Sequence, residues 1–572
     1  MNKKRFLLAL LTFVFVFSLN AQNNIGRDYF YLNNYELAKR YFEKNPPKAP
    51  AELKYYLGEV AFAEGKIDVA RALFTEGVAL NEAYPYNKIG LAKLDLKAKP
   101  GESLSSFITI QKKNNEVDVI VAIGYAYLEN GMFEEANQKV TEGKKADKKS
   151  PMPYILEGDI HKANRNLGAA AGSYDQAIYF APNFPLSYIK SAVIYENSKN
   201  WQAPIDKLKT AIELYPDYII PFGYMGKIYT NNGYYPLAIE AYKTYFTNGI
   251  YTLEDVTLYA SALYFSEQYD DATAKIKEGL NLDPNNFVLN RLQMYSAAKT
   301  QDVENGLRYA QKFFSIKRDT SNKYIVLDFT MYATLLKEAK RYDEAMVEYQ
   351  KALDLDPKAF EIYKEMATLA AQRKQNGLAG DLYQKYIEYG GEQIQPLDHY
   401  YMGTYYYSAG RVRTAADTAM VLELRTDDSF MSKLSDDAAQ RDELKTNDTL
   451  FVKTVIRHYA ILADTAFGTV IENIPEGHTG YVLRARTNAL LDPDSEIGLA
   501  KPYYEKAIEL LVDKDTSVKS IRDNLMESYS YLGYFYYLKE DKDNTILYWN
   551  KVLELDPENA NAKMVLESMK KK

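Results

Sequence analysis

The sequence predicts an all-α solenoid of stacked helical hairpins, on three observations. Segments beginning at Val117, Pro151, Pro185, Ile219 and Leu253 follow one another at intervals of 34 residues. Across the frames, small residues recur at the eighth and twentieth offsets and an aromatic often fills the twenty-fourth: Gly158, Ala170 and Tyr174 in the frame from Pro151, and Ala333, Ala345 and Tyr349 in the frame from Val326. Proline then closes many of the frames. A period of this length marks an array in which each hairpin covers its neighbour's apolar face. That architecture also accommodates 572 residues, too many for one compact core.

The elements follow in order along the chain. Lys3, Lys4 and Arg5 precede an apolar run over residues 6–19, which has the form of a secretory signal over residues 1–21, cut after Ala21. No later stretch is apolar for long enough to span a bilayer. Residues 22–45 already carry Gly26, Tyr29, Ala38 and Phe42 in repeat-like positions, and the frame from Ala51 has Gly58, Ala70, Phe74 and Gly77. A frame from Pro85 is shortened by two residues near Gly101. The frames from Phe287 and Val326 lie 39 residues apart, which assigns the five extra residues to a loop over residues 317–323. Frames from Phe360 and Pro396 continue the stack. Residues 427–448, with seven acidic and three basic side chains, read as a solvated insertion or linker. Ala463, Phe467 and Pro475 then mark one degenerate unit and Ala500, Tyr504 and Ala507 another. The frame from Met526, with Gly533, Thr545, Trp549, Val552 and Pro557, is well formed. The expected organisation is a signal over residues 1–21, an array over 22–426, the insertion over 427–448 and a second array over 449–572, with about fourteen hairpins in all.

Local chemistry accounts for the pattern. Gly65, Gly131, Gly233 and Gly410 share one offset between the two small residues, where a left-handed residue would end a first helix. The small residues let the second helix fold back closely on the first. Pro182, Pro216, Pro284, Pro357 and Pro557 each stop a second helix, because proline cannot continue a helix interior.

These positions resemble the tetratricopeptide repeat. The resemblance implies a right-handed superhelix whose first helices line the concave side, with the second, fifth, ninth and twelfth offsets facing the groove. Those offsets include Tyr55, Phe62, Tyr86, Tyr125, Tyr264, Tyr400, Tyr407, Tyr534 and Tyr537, and tyrosine suits recognition through its large rigid area and polar tip. Among the 52 tyrosines, others such as Tyr174, Tyr242, Tyr349 and Tyr383 fall where rings pack between helices. Family members that clamp a C-terminal carboxylate have asparagine at the ninth offset. Here that offset holds Glu59, Tyr125, Asp159, Val193, Lys227, Ser261, Thr334, Thr368 and Thr404, so that clamp is not expected.

Composition narrows the function further. The chain has no cysteine, which removes disulfides and a cysteine-linked lipid anchor. Formal net charge is −7, and without Lys3, Lys4 and Arg5 the mature chain carries 67 basic against 77 acidic residues, or −10. An acidic surface repels phosphate backbones, so nucleic acid is not an expected partner. His161, His399, His458 and His478 lack the spacing of a helical zinc site, and no phosphate loop is present. No cofactor, metal or catalytic activity is expected. The reading is an exported, periplasmic scaffold that binds envelope proteins or peptide segments in its groove. The alternative is a glycan-binding accessory of outer-membrane nutrient uptake, since exposed tyrosines also stack on sugar rings.

Overall fold

The computed structural model describes residues 25–195, 200–318, 320 and 322–571, so the signal-like residues 1–21 lie outside the described residues. Among the described residues every regular element is a helix. The chain divides into two compact units, Met1–Arg318 and Asp319–Lys572, with the boundary inside the expected loop over residues 317–323.

The N-terminal unit is a run of hairpins: Ile25–Tyr31 with Tyr35–Lys44, Pro50–Ala63 with Ile67–Leu80, Pro85–Asp95 with Pro100–Lys113, Val117–Glu129 with Phe133–Ala146, Met152–Ala163 with Leu167–Phe180, Pro185–Tyr195 with Gln202–Leu214, Ile220–Asn231 with Tyr235–Tyr245, Leu253–Phe265 with Tyr269–Leu282, and Phe287–Lys299 with Val303–Ser315. The small residues act as expected. A Cβ added at Gly226 would lie 2.7 Å from the ring of Tyr242, its own hairpin's twenty-fourth residue. First helices also pack on the first helices of the next hairpin, as Pro50–Ala63 does on Pro85–Asp95 and Val117–Glu129 on Met152–Ala163. This crowding of first helices puts them on the inside of the curve. Prolines 182, 216, 284, 357 and 557 each stand two residues beyond the last residue of a second helix, where a helix stop is required.

The turn between helices is left-handed whether or not glycine occupies it. Gly65, Gly131 and Gly233 have φ of +74, +79 and +79°, and Arg165, Glu267, Lys340, Lys374 and Glu540 hold the same offset at +57 to +61°. Hydrogen bonds that close the first helix impose this. At Lys340 its own N–H donates to the Lys337 carbonyl, and the Arg341 N–H reaches back to Leu336, the pairing of a left-handed helix stop. Gly410 departs from the expectation. It is the last residue of Pro396–Gly410 and is not left-handed. A Cβ there would lie 3.3 Å from the Ile456 carbonyl oxygen, so glycine serves close backbone approach.

That approach explains the C-terminal unit. Its hairpins are Val326–Glu338 with Tyr342–Leu355, Phe360–Gln372 with Asn376–Gly390, Pro396–Gly410 with Asp448–Asn473, His478–Leu491 with Lys501–Leu511, and Lys519–Leu538 with Lys542–Leu555, closed by Ala560–Lys571. The first helix Pro396–Gly410 therefore finds its second helix beyond the acidic segment. A Cβ added at Gly403 would sit 2.7 Å from Phe467, the same small-to-ring contact as in the regular frames. Two sequence expectations change accordingly. The array does not run to residue 426, because the chain leaves the repeat after Gly410 and rejoins it at Asp448. Ala463 with Phe467, and Ala500 with Tyr504, are not separate degenerate units but the second halves of the hairpins begun at Pro396 and His478. The intervening helices Ala415–Glu423, Asp428–Leu434 and Ala438–Thr446 pack on Asp448–Asn473 through buried Val421, Phe430, Met431 and Leu444, so the segment is a folded insertion within one hairpin.

Candidate interaction surface

On the inner side of the N-terminal unit, the ninth residues of successive first helices meet. Glu59 and Lys93 occupy that offset in consecutive hairpins, and Lys93 forms a buried ion pair with Glu59 while donating to Glu129 at 2.8 Å. Tyr125 and Asp159 repeat the geometry two hairpins on, with the Tyr125 hydroxyl 2.6 Å from the Asp159 carboxylate. Asp159 also accepts from Tyr174 at 2.6 Å and from Lys190 at 2.7 Å. The 34-residue period thus becomes a ladder of polar contacts between first helices.

The ladder is buried, and its ionisation follows. Burial lifts the Glu59 carboxyl to about 7 despite Lys93, because two carboxylates share one ammonium and the second carboxylate is left uncompensated. Burial would lower Lys93, but Glu129 and Glu59 together raise it above its ordinary value. Lys190, paired with Asp159, is held below the usual lysine range by burial, with Lys162 adding to the effect.

The ladder is not open to solvent along its length, because the first hairpin lies on it. Helix Ile25–Tyr31 sets Phe30 5.8 Å from Tyr56 and Tyr31 5.4 Å from Tyr125, ring centre to ring centre. Across the unit the Tyr218 hydroxyl donates to Asp28 at 2.8 Å, Arg40 donates to the Tyr251 carbonyl at 2.9 Å and Lys44 to the Asn248 carbonyl at 2.9 Å. Tyr29 is buried against Tyr245. A groove of about 340 Å³ remains beside the hairpin, lined by Tyr31, Tyr35, Tyr125, Glu129, Asp159 and Lys162 among others.

The tyrosines expected in the groove are placed unequally. Tyr55 and Tyr264 are core residues, which corrects their assignment as free groove contacts: Tyr55 is buried among Tyr56, Phe74 and Tyr86, and Tyr264 among Tyr269 and Tyr295. Phe62, Tyr86 and Tyr125 are half-buried, with the Lys93 ammonium 4.1 Å from the Phe62 ring centre. Tyr55, Tyr86 and Tyr125, with Glu59 and Lys93, surround the docked first hairpin. Tyr400, Tyr407 and Tyr537 are half-buried in the C-terminal unit, and Tyr534 is 48% exposed. Beside Tyr400, Tyr401 and Leu397 stand 43% and 55% exposed. Thr334, Thr368 and Thr404, at the ninth offset, donate to carbonyls one turn back in their own helices. Sequence reasoning did not single out Arg27, Asp28, Lys93, Glu129 or Lys190. The alternation of acid, base and hydroxyl at the ninth offset would have found Lys93, but nothing local announces the others.

Residues 329–359 match the tetratricopeptide repeat, covering most of the hairpin Val326–Glu338 and Tyr342–Leu355 and the turn that follows it. The chain is similar to the C-terminal part of a TPR repeat-containing protein from Cytophaga hutchinsonii, at 23% identity over 54% of this chain and 97% of that one, with a TM-score of 0.34. It is also similar to a tetratricopeptide repeat protein from Parabacteroides merdae, at 14% identity over 45% of this chain and 98% of that one, TM-score 0.30. Yeast Tom70 aligns at 13% identity over 73% of this chain and 99% of its own, TM-score 0.27. No curated protein matches the chain.

Proposed function

We infer that the protein is an exported interaction scaffold of the cell envelope, which docks helical or extended segments of partner proteins on the inner faces of its first helices. One observation carries this reading: the inner face of the N-terminal unit already holds a helix, Ile25–Tyr31, by ring and charge contacts that reach several hairpins. A surface that seats one helix in this way has the chemistry to seat others, with aromatic area and buried hydrogen-bonding groups. The tetratricopeptide match over residues 329–359 supports the same role. Export rests on the basic and apolar pattern of residues 1–21.

A second such surface is proposed in the C-terminal unit, where half-buried Tyr400 and Tyr407 are two turns apart on one first helix. Partners crosslinked in the native envelope and then purified provide the ligand for titration. Replacing both tyrosines with alanine is expected to weaken that binding by about 2 kcal/mol or more, while the unit stays folded with a stability loss of about 1 to 3 kcal/mol, because both rings are half-buried against its core. Early unfolding would assign the rings to the core. Normal melting with unchanged binding would place the docking surface elsewhere, and displacement of the partner by free oligosaccharide would favour the sugar-binding reading.

A further inference from the structure

Hairpins in a solenoid touch their neighbours, and the first hairpin does not keep to that rule. It stacks on the next one, with Phe42 4.7 Å and Phe30 5.8 Å from Tyr56, and further contacts leap far along the chain. Asp28 meets Tyr218, Arg40 meets Tyr251 and Lys44 meets Asn248. Tyr31 meets Tyr125, and Arg27 feels the charge of Asp118. The link from this hairpin to the stack, residues 45–49, contains Pro46 and Pro47, which break the helix there.

The fit is also incomplete. Oδ1 of Asp28 and Nε of Arg27 are buried with no hydrogen-bond partner among the described residues, which is costly for charged groups. The groove beside the hairpin stays open to about 340 Å³. A hairpin built only as the end of the stack would need none of the contacts to residues 218–251. A segment that occupies a receptor surface has this pattern: contacts to elements far along the chain beyond those to its neighbour, and polar groups left over at the contact.

We propose that the inner groove of the N-terminal unit is a docking site for a short helix bearing an Arg-Asp pair flanked by aromatic residues, that the chain's own helix Ile25–Tyr31 is its resident occupant, and that a partner segment of the same chemistry replaces it. The proposal rests on the reading of the groove as a docking surface and adds that the N-terminal groove is closed until its occupant leaves. Docking of a partner is then coupled to release of the hairpin, and the apparent affinity is reduced by the fraction of chains in which it is seated.

The test uses the full mature chain and a fluorescent synthetic peptide spanning residues 25–45. In the double variant Tyr218→Phe/Arg40→Ala, which weakens the far contacts and leaves the stacking on Tyr56, amide exchange over residues 25–44 is expected to accelerate at least tenfold while residues 117–163 keep their protection. The peptide is expected to bind this variant at least tenfold more tightly than the wild type, and a peptide with Arg27→Glu and Asp28→Lys is expected not to bind. A dimer of the variant, crosslinked between residues 25–44 of one copy and 117–163 of the other, would equally support the site. Should the variant misfold, saturating peptide added to the wild type provides the second measurement, with accelerated exchange over residues 25–44 as the supporting result. Exchange over residues 25–44 that is unmoved by substitution and by peptide overturns the proposal, as does a released hairpin with no peptide binding. Partner binding through Tyr400 and Tyr407 is read in the other unit, so either reading can fail while the other stands.

Discussion

At Asp28, burial outweighs both the Arg27 charge and the Tyr218 hydrogen bond and lifts the carboxyl from 3.8 to about 6. Between those values the folded chain holds a proton that the unfolded chain has released. This residue's contribution to stability therefore falls as pH rises from about 4 to about 6 and is level above that. Asp28→Asn keeps an oxygen to accept from Tyr218 and removes the buried charge. It is expected to be more stable than the wild type at pH 7.5, by at most about 3 kcal/mol, with the gap closing towards pH 4. Paired melts across that range check this, and a gap independent of pH would show that another group titrates. Of the residues on this surface, Glu59, Tyr125 and Asp159 could be read from their common offset. Asp28 could not, because what makes it unusual is Tyr218, 190 residues away.

Among the elements, the regular hairpin was legible because its determinants are local: a small residue on each helix, a ring and a stop. Ala333 and Ala345 are both fully buried where Val326–Glu338 meets Tyr342–Leu355. Ala345→Leu is expected to overpack that contact at a cost of about 1 to 3 kcal/mol, and hydrogen exchange should show protection lost first over residues 326–390. Uniform loss along the chain would count against this packing. The interrupted hairpin was misjudged for a matching reason. Pro396–Gly410 and Asp448–Asn473 are partners across an insertion that looks polar in sequence, yet it buries Phe430 and Met431. Cleavage at a protease site engineered near exposed Asp436 and Asp437 is expected to leave the two fragments associated under native conditions, as judged by size-exclusion chromatography. Separation of the fragments would mean that Asp448–Asn473 does not complete the hairpin.

For the molecule as a whole, the division at Arg318 and Asp319 falls where the repeat period lengthens by five residues. The extra length leaves the described residues 316–318, 320 and 322–325 outside any helix, and Lys317, Arg318 and Lys323 offer tryptic sites there. Limited trypsin digestion is expected to cut first in this segment and to release two fragments that each keep their helical circular dichroism. First cuts inside a hairpin, or a fragment that loses its helicity, would argue that the units do not fold separately. The acidic balance of the chain bears on solubility and charged partners, and has no part in this division.

The repeat period, the glycine turns, the proline stops and the longer loop over residues 317–323 could all be read from residues alone, because each depends on neighbours within one or two turns or on a spacing that recurs, whereas the division of the chain there could not. The sequence also named the first-helix offsets at which the N-terminal groove is built. Which of those offsets are open was set by long-range geometry: the first hairpin lies over Tyr125, the rings of Tyr55 and Tyr264 are absorbed into the core, and the partner of Pro396–Gly410 sits beyond a folded insertion. Burial and pairing of this kind depend on residues that are distant in sequence and adjacent only after the array has curved, so periodicity carries no trace of them.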